Sequence, residues 1–330
     1  PTTNVAQAEQ AVAQLVARSG GDLPEAGYES LYQLATGNGV SWGANLPGCT
    51  AQPAGDVPPN HTGNGGVGFR DQTVPIVLHV TDASSHDGPE YQTKIPGAHA
   101  KGEALSALDA LGIRVITVQS GGDATVAAQL DEIAASTDAV VPVCAFKSSA
   151  VDWRCGADQC CTGVGGAPVA PDASSNCVLR YGINSNGSGL GETSVDGIDA
   201  LIKYGKFDVF VSVRDDASTP VDTTCFVKRV EASGYVAPAL EPEASCTPQP
   251  VPAAFAGSPY NNGFTGFATG TSSTARPGAQ LLFLVQVQND GCALPTTEAQ
   301  VFDAFLDIID QATGSILDTQ TRPIIEPPEV

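Results

Sequence analysis

The hydrophobic pattern of the chain changes near residue 205, and this change sets the fold class. Before that point, short apolar runs alternate with segments of helical periodicity. This alternation predicts strands joined by crossover helices, and therefore a doubly wound, mostly parallel α/β sheet. After it, apolar residues recur at every second position in short runs between Pro, Gly and Asn, which predicts an all-β sandwich. We expect two domains, residues 1–205 and 206–330.

The same patterns place the individual elements. Helices are predicted over residues 4–18, 26–36, 98–111, 124–136 and 193–204. Strands are predicted over residues 73–80, 113–118 and 139–146 in the first domain, and over 207–214, 225–231, 280–288, 301–309 and 316–322 in the second. The segments 37–72 and 236–263, rich in Gly and Pro, are predicted to be connections.

Nine cysteines stand in a chain with 36 Gly and 24 Pro: Cys49, Cys144, Cys155, Cys160, Cys161, Cys177, Cys225, Cys246 and Cys292. They predict disulfides and an exported protein, since their spacing fits no zinc motif well. The odd count leaves at least one cysteine without a partner in this chain. Residues 147–178 contain four of them and are predicted to form a disulfide-stapled insertion. There, Cys160 and Cys161 either bond each other or, as we expect, belong to different bridges.

Charge and composition exclude several functions. The chain has 36 acidic and 15 basic residues, for a net charge of −21, and a field of that sign repels nucleic acid and anionic membranes. No window approaches the roughly 18 apolar residues of a membrane helix, so we expect no membrane insertion. The sequence has no esterase elbow, Walker loop or His-Glu-x-x-His motif, and we expect no enzymatic activity. Because it also has no Met, we expect a processed piece of a longer product.

Three segments, residues 20–37, 75–88 and 107–122, resemble the second half of a von Willebrand factor type A domain. The first is similar to the Asp-x-Pro-Glu segment of integrin β inserted domains, and the second to the strand that ends on Thr-Asp. The arrangement as a whole is similar to exported bacterial proteins of this family with an appended β-sandwich. The resemblance implies a doubly wound fold that holds a divalent cation, Mg²⁺ or Ca²⁺. It implies Asp82 and Glu25 as ligands, with Asp22 in the same loop.

The chain departs from the family in its main metal loop. The family's Asp-x-Ser-x-Ser motif is missing, since Asp82-Ala-Ser84-Ser85-His86 lacks the second serine. The resemblance also implies that the first strands and helix of the domain lie upstream of Pro1. An N-terminal fragment or a neighbouring chain would then complete the sheet.

Each of these residues also has a plainer interpretation. Asp22 and Glu25 suit a helix cap around Pro24, and Asp82 suits a turn. His79 lies inside a predicted strand and is typical of a core histidine rather than a catalytic one. Two further pairs at strand ends suit either calcium or turn chemistry: Asp215–Asp216 and Asn289–Asp290.

These observations favour a secreted or cell-surface, non-enzymatic adhesion protein that binds a protein or surface ligand with the help of a cation. The alternative is a structural subunit of an extracellular filament or surface complex, in which the metal site is degenerate. A third hypothesis, a secreted hydrolase using Asp82 and a histidine, has no motif that demands it.

Overall fold

A computed structural model describes most of the chain. The described residues are 6–7, 10, 14, 24–44, 54–60, 63–70, 73–147, 153–205, 208–236, 251–265, 267–268, 271–272, 280–311, 314 and 316–328. Asp22, Cys49 and Cys246 lie outside the described residues. Most of the helix predicted over residues 4–18 also lies outside them.

The described helices are α1 (Gly27–Thr36), α2 (Pro89–Lys94), α3 (Lys101–Ala110), α4 (Ala124–Ser136) and α5 (Leu190–Tyr204). The described strands up to residue 205 are β1 (Val40–Trp42), β2 (Gly55–Val57), β3 (Ile76–Thr81), β4 (Arg114–Ser120), β5 (Val140–Pro142), β6 (Asn176–Val178) and β7 (Arg180–Ile183). The described strands after it are β8 (Val209–Arg214), β9 (Val227–Val236), β10 (Val251–Ala253), β11 (Gly263–Thr265), β12 (Phe267–Ala268), β13 (Thr271–Ser272), β14 (Gln280–Val287), β15 (Gln300–Asp310) and β16 (Ile316–Glu326).

The chain divides into two compact units. The first comprises Pro1–Ala139, Thr162–Ala167 and Val178–Gly197, and the second comprises Val140–Cys161, Pro168–Cys177 and Ile198–Val330. The domain boundary at residue 205 stays a prediction.

The first unit is built on a parallel sheet of three described strands in the order β3–β4–β7. Six of the seven residues of β4 are buried, as expected for a central strand that is covered on both faces. Tyr28 and Leu31 of α1 share one core cluster with Leu108 of α3 and Leu130 of α4. The mixed α/β class and the parallel pairing are therefore confirmed.

The strand predicted over residues 139–146 was expected to join this parallel sheet. That prediction was wrong, because the third strand is a different segment. Val140–Pro142 forms β5 and pairs with β6, while Val143–Phe146 forms a 3₁₀ helix. Pro142 has no backbone N–H to extend a ladder, so the strand ends there. The place beside β4 is taken by β7.

The cysteine-rich insertion confirms the disulfide prediction. Cys155 bonds Cys161 and Cys160 bonds Cys177, so the two adjacent cysteines belong to different bridges, as expected. Cys144 is disulfide-bonded as well. A further bridge joins Cys225 to Cys292 in the second unit.

The second unit contains antiparallel sheets. All five strands predicted after residue 205 are present, as β8, β9, β14, β15 and β16. A five-stranded sheet has the order β10–β11–β8–β15–β16, and β14 pairs with β9. Val211 and Leu306 of the larger sheet cluster with Val230 of β9 and with Phe283 and Val285 of β14. The β-rich character of this region is therefore confirmed.

Candidate binding site

The segment before α1 runs beside the loop that follows β3. The Glu25 N–H donates to the carbonyl of Ser84 over 2.7 Å, and the His86 N–H donates to the carbonyl of Glu25 over 2.8 Å. These bonds form an isolated parallel bridge between Glu25 and Ser85. The segments that carry Glu25 and Asp82 are thus brought together near the carboxyl end of β3, and both side chains are exposed.

Close packing fixes this junction. A Cβ atom on Gly27 would lie 2.2 Å from the Ser85 Oγ and 3.3 Å from the Ser85 Cβ, so a larger residue would force the Ser85 side chain to move. On its other side, Ser85 is held by Gln129 of α4. The Ser85 N–H donates to the Gln129 Oε1 over 2.7 Å, and the Gln129 Nε2 donates to the Ser85 carbonyl over 3.4 Å. The loop after β3 is therefore anchored from two helices.

The predicted cation ligands do not form a complete cluster in the described part of the chain. No group of three or more His, Cys, Asp or Glu side chains there is arranged to hold a metal ion. Asp22 lies outside the described residues, so Glu25 and Asp82 stay predictions as ligands. The helix-cap interpretation is wrong for Glu25, because α1 begins after Ala26 without a side-chain cap, and the Glu25 main chain bonds to the β3 loop instead.

A cleft of about 490 Å³ adjoins this junction. It is lined by residues of α1, α2 and the β1–β2 pair, namely Ala26, Glu29, Ser30, Gln33, Val40, Trp42, Val57, Tyr91 and Ile95. Trp42 packs directly on the backbone of Gly55, where a Cβ atom would lie 2.1 Å from the indole ring. A mostly apolar cleft with a few fixed polar groups is typical of a ligand-binding site.

Glu29 forms part of the wall of the cleft and is largely buried, with only 6% of its surface exposed to solvent. Its carboxylate accepts from the Gln33 Nε2 over 2.7 Å and from the His99 N–H, and the His99 Nδ1 lies 3.1 Å away. Gln33 in turn accepts from the Gly39 N–H over 2.6 Å, next to the start of β1. Because these bonds use the carboxylate within the protein, Glu29 acts as a structural anchor of the cleft.

Sequence reasoning missed Glu29 and Trp42, and it considered His99 only in a possible cluster with Asp82, not as a partner of Glu29. One signal was available for Glu29. It lies beside the apolar stripe formed by Tyr28, Leu31 and Ala35 on α1, and a glutamate that becomes buried there needs a partner. Its partner, His99, lies 70 residues away along the chain, which no local pattern shows.

His79 of β3 faces the interior. Its Nε2 is buried without a hydrogen-bond partner in the described residues, and burial lowers the pKa of His79. Within the described residues, no hydrogen bond joins His79 to Asp82. These properties favour the core-histidine interpretation over a catalytic role.

The lowered pKa predicts a pH effect on stability. The unfolded chain takes up a proton at this residue near pH 6.5, whereas the folded chain takes it up at a lower pH. Between these two values the unfolded state binds more protons, so stability falls as the pH decreases. We expect urea unfolding to give a lower free energy of unfolding at pH 5.5 than at pH 8. His79→Gln should make this difference smaller, by less than about 1.4 kcal/mol per pH unit, which is the limit for one proton. An identical pH dependence in both proteins would contradict the prediction.

Comparison with known proteins adds no further constraint. No protein-family model matches the chain, and no curated protein matches it significantly. The type A resemblance therefore depends on the residues alone. The described residues also contain no helix long and apolar enough to cross a membrane.

Proposed function

We propose that this protein is an exported, non-enzymatic binding protein of the von Willebrand factor type A kind, with an appended β-sandwich. Its ligand-binding face is the carboxyl end of β3 together with the adjoining cleft. The Glu25–Ser85 bridge carries this proposal, because it joins the two predicted ligand segments at the edge where open α/β sheets bind their ligands.

The disulfides support a secreted or cell-surface location, and the net charge narrows the class of ligand. The bridges Cys155–Cys161, Cys160–Cys177 and Cys225–Cys292 are typical of proteins that fold in an oxidising compartment. The net charge of −21 opposes nucleic acid as a ligand. A protein or surface ligand remains the best match to an exposed edge and an apolar cleft.

The residue types at the edge fit a divalent cation. Mg²⁺ and Ca²⁺ prefer carboxylate, hydroxyl and carbonyl oxygens, and Asp82, Glu25 and Ser84 supply such atoms. A bound cation would attract a carboxylate of the ligand. Ala26, which follows Glu25, also lines the cleft, so an apolar group of the same ligand can be buried beside that carboxylate.

Addition of calcium or magnesium is expected to raise the melting temperature, since an ion that binds only the folded state stabilises it by about 2.7 kcal/mol at 100 times its Kd. Asp82→Ala and Glu25→Ala should each abolish the shift. Asp109→Ala is the matched control, because Asp109 is an exposed acidic residue on α3, and it should leave the shift unchanged. Differential scanning fluorimetry with and without the ion makes the comparison.

A second candidate is a structural subunit with a degenerate metal site. The lack of a three-residue metal group in the described residues favours it. In that case neither ion would shift the melting temperature of the wild-type protein. A shift that survives both Asp82→Ala and Glu25→Ala would instead place the ion elsewhere.

A further inference from the structure

Among the described strands, β14 lies at the edge of its sheet and has an apolar sequence. Its only partner among the described strands is β9, and no described strand lies along its other side. Its sequence, Gln-Leu-Leu-Phe-Leu-Val-Gln-Val, contains no charged residue and no proline. Phe283 and Val285 pack into the core, while Leu282 and Leu284 are 49% and 62% exposed. The strand is therefore apolar on both faces.

Another long edge strand among those described, β16, shows how an edge is normally protected. It lies at the end of the five-stranded sheet and carries Asp318, Arg322 and Pro323. Charged side chains and proline on an edge strand prevent pairing with another chain. Such protection is absent from the sequence of β14, so its edge can accept a further strand.

The sequence of β14 is symmetric about Phe283. Antiparallel pairing with a second copy, centred on this residue, places Leu282 opposite the partner's Leu284 and Leu281 opposite the partner's Val285. At both ends, Gln280 lies opposite the partner's Gln286. Every pair is therefore apolar on apolar or amide on amide, and cross-strand pairs of this kind stabilise a sheet. This self-complementarity identifies a second copy as the partner that matches the edge.

Electrostatics at this edge also permit self-association. Two copies with a net charge of −21 repel each other. The β9–β14 sheet, however, carries only Lys228, Arg229 and Glu231, two basic residues and one acidic residue, and Arg229 pairs with Glu231. The repulsion therefore comes from the rest of the surface and is screened by salt.

We propose that β14 is a homodimerisation edge, at which two copies join their β9–β14 sheets into one four-stranded antiparallel sheet. The pairing satisfies the exposed backbone groups of both edges. It also gathers Leu282 and Leu284 of each copy into one apolar cluster on the outer face. This property goes beyond the proposed ligand-binding function and does not depend on the cation site.

Sedimentation equilibrium of the full chain tests the proposal. We expect a reversible dimer whose association strengthens when NaCl is raised from low to moderate ionic strength. Leu284→Lys introduces two charges per dimer and removes two buried leucines. It should weaken the dimer by at least about 100-fold. The matched control is Ile325→Lys, because Ile325 is 66% exposed on β16, and it should leave the dimer intact.

Hydrogen exchange of the wild-type protein gives a second readout that needs no variant. Amides of β14 should become more protected as the protein concentration rises, while those of β16 should not change. A wild-type protein that stays monomeric at all concentrations would overturn the proposal. So would a dimer that persists in Leu284→Lys, or one that Ile325→Lys weakens equally. The cation shift of the melting temperature is unaffected by any of these outcomes, so the two proposals can fail separately.

Discussion

Replacing Glu29 by alanine is expected to lower the free energy of unfolding of the first unit by about 2–6 kcal/mol, because two donors lose an acceptor in a largely buried place at about 1–3 kcal/mol each. The substitution removes the acceptor for the Gln33 Nε2 and for the His99 N–H. Glu29→Gln should cost less, because one oxygen acceptor is retained.

The distribution of tryptophan allows this loss to be assigned to one unit. The chain has two tryptophans, Trp42 in the first unit and Trp153 in the second. In a Trp153→Phe background, urea unfolding followed by fluorescence reports on Trp42 alone. Ser30→Ala, on the exposed side of the same helix, is the control and should change stability by less than about 0.5 kcal/mol. A Glu29→Ala effect as small as that of the control would show that the network is not stabilising.

Among the three bridges with both cysteines in the described residues, Cys225–Cys292 should have the largest effect on stability when it is removed. The two cysteines are 67 residues apart, and loop-closure entropy predicts a loss of about 4 kcal/mol when both become alanine. The Cys155–Cys161 bridge closes a separation of only 6 residues. Its removal should cost about 2 kcal/mol by the same relation.

Differential scanning calorimetry of the two double variants compares these losses. In a unit of this size, a loss of about 4 kcal/mol lowers the melting temperature by about 8–16 °C. The shorter bridge should produce about half that shift. Equal shifts in the two variants would mean that strain or native contacts, rather than the entropy of the unfolded chain, determine the contribution of each bridge.

Elements with local signals were predicted well from the sequence. Helix α4 spans the predicted residues 124–136, because Asp123 accepts from the N–H groups of Thr125 and Val126 as an N-cap. The alternating pattern of β15 was equally clear, since its inward residues Phe302, Ala304 and Leu306 are buried.

Elements that depend on distant contacts were missed. Strand β7 contains Arg180 and Gly182, which are unusual in a central sheet. Arg180 is accommodated because its Nε donates to Asp131 of α4 over 2.7 Å, a residue 49 positions away. Gly182 lies close to Val164, because a Cβ atom there would lie 3.1 Å from the backbone N of Val164. Neither contact can be inferred from the composition of the strand.

The candidate site was likewise predicted only in part from the sequence. The resemblance pointed to the segments of Glu25 and Asp82, and the structure places these two segments side by side. The cleft beside them was not anticipated, since β1 and β2 are only three residues long and fell in a region predicted to be a loop. β1 is held in place by the side chain of Gln33, which a periodicity pattern cannot show.

The adjacent cysteines of the insertion have a consequence for how the protein matures. The native bridges span separations of 6 and 17 residues, whereas the exchanged set, Cys155–Cys160 with Cys161–Cys177, spans nearly the same lengths. Chain entropy separates the two sets by only about 0.2 kcal/mol, and in favour of the exchanged one. Random oxidation would therefore produce both isomers, and only the packing of the folded insertion selects the native set. Thiol–disulfide exchange would convert the exchanged set into the native one as the insertion folds.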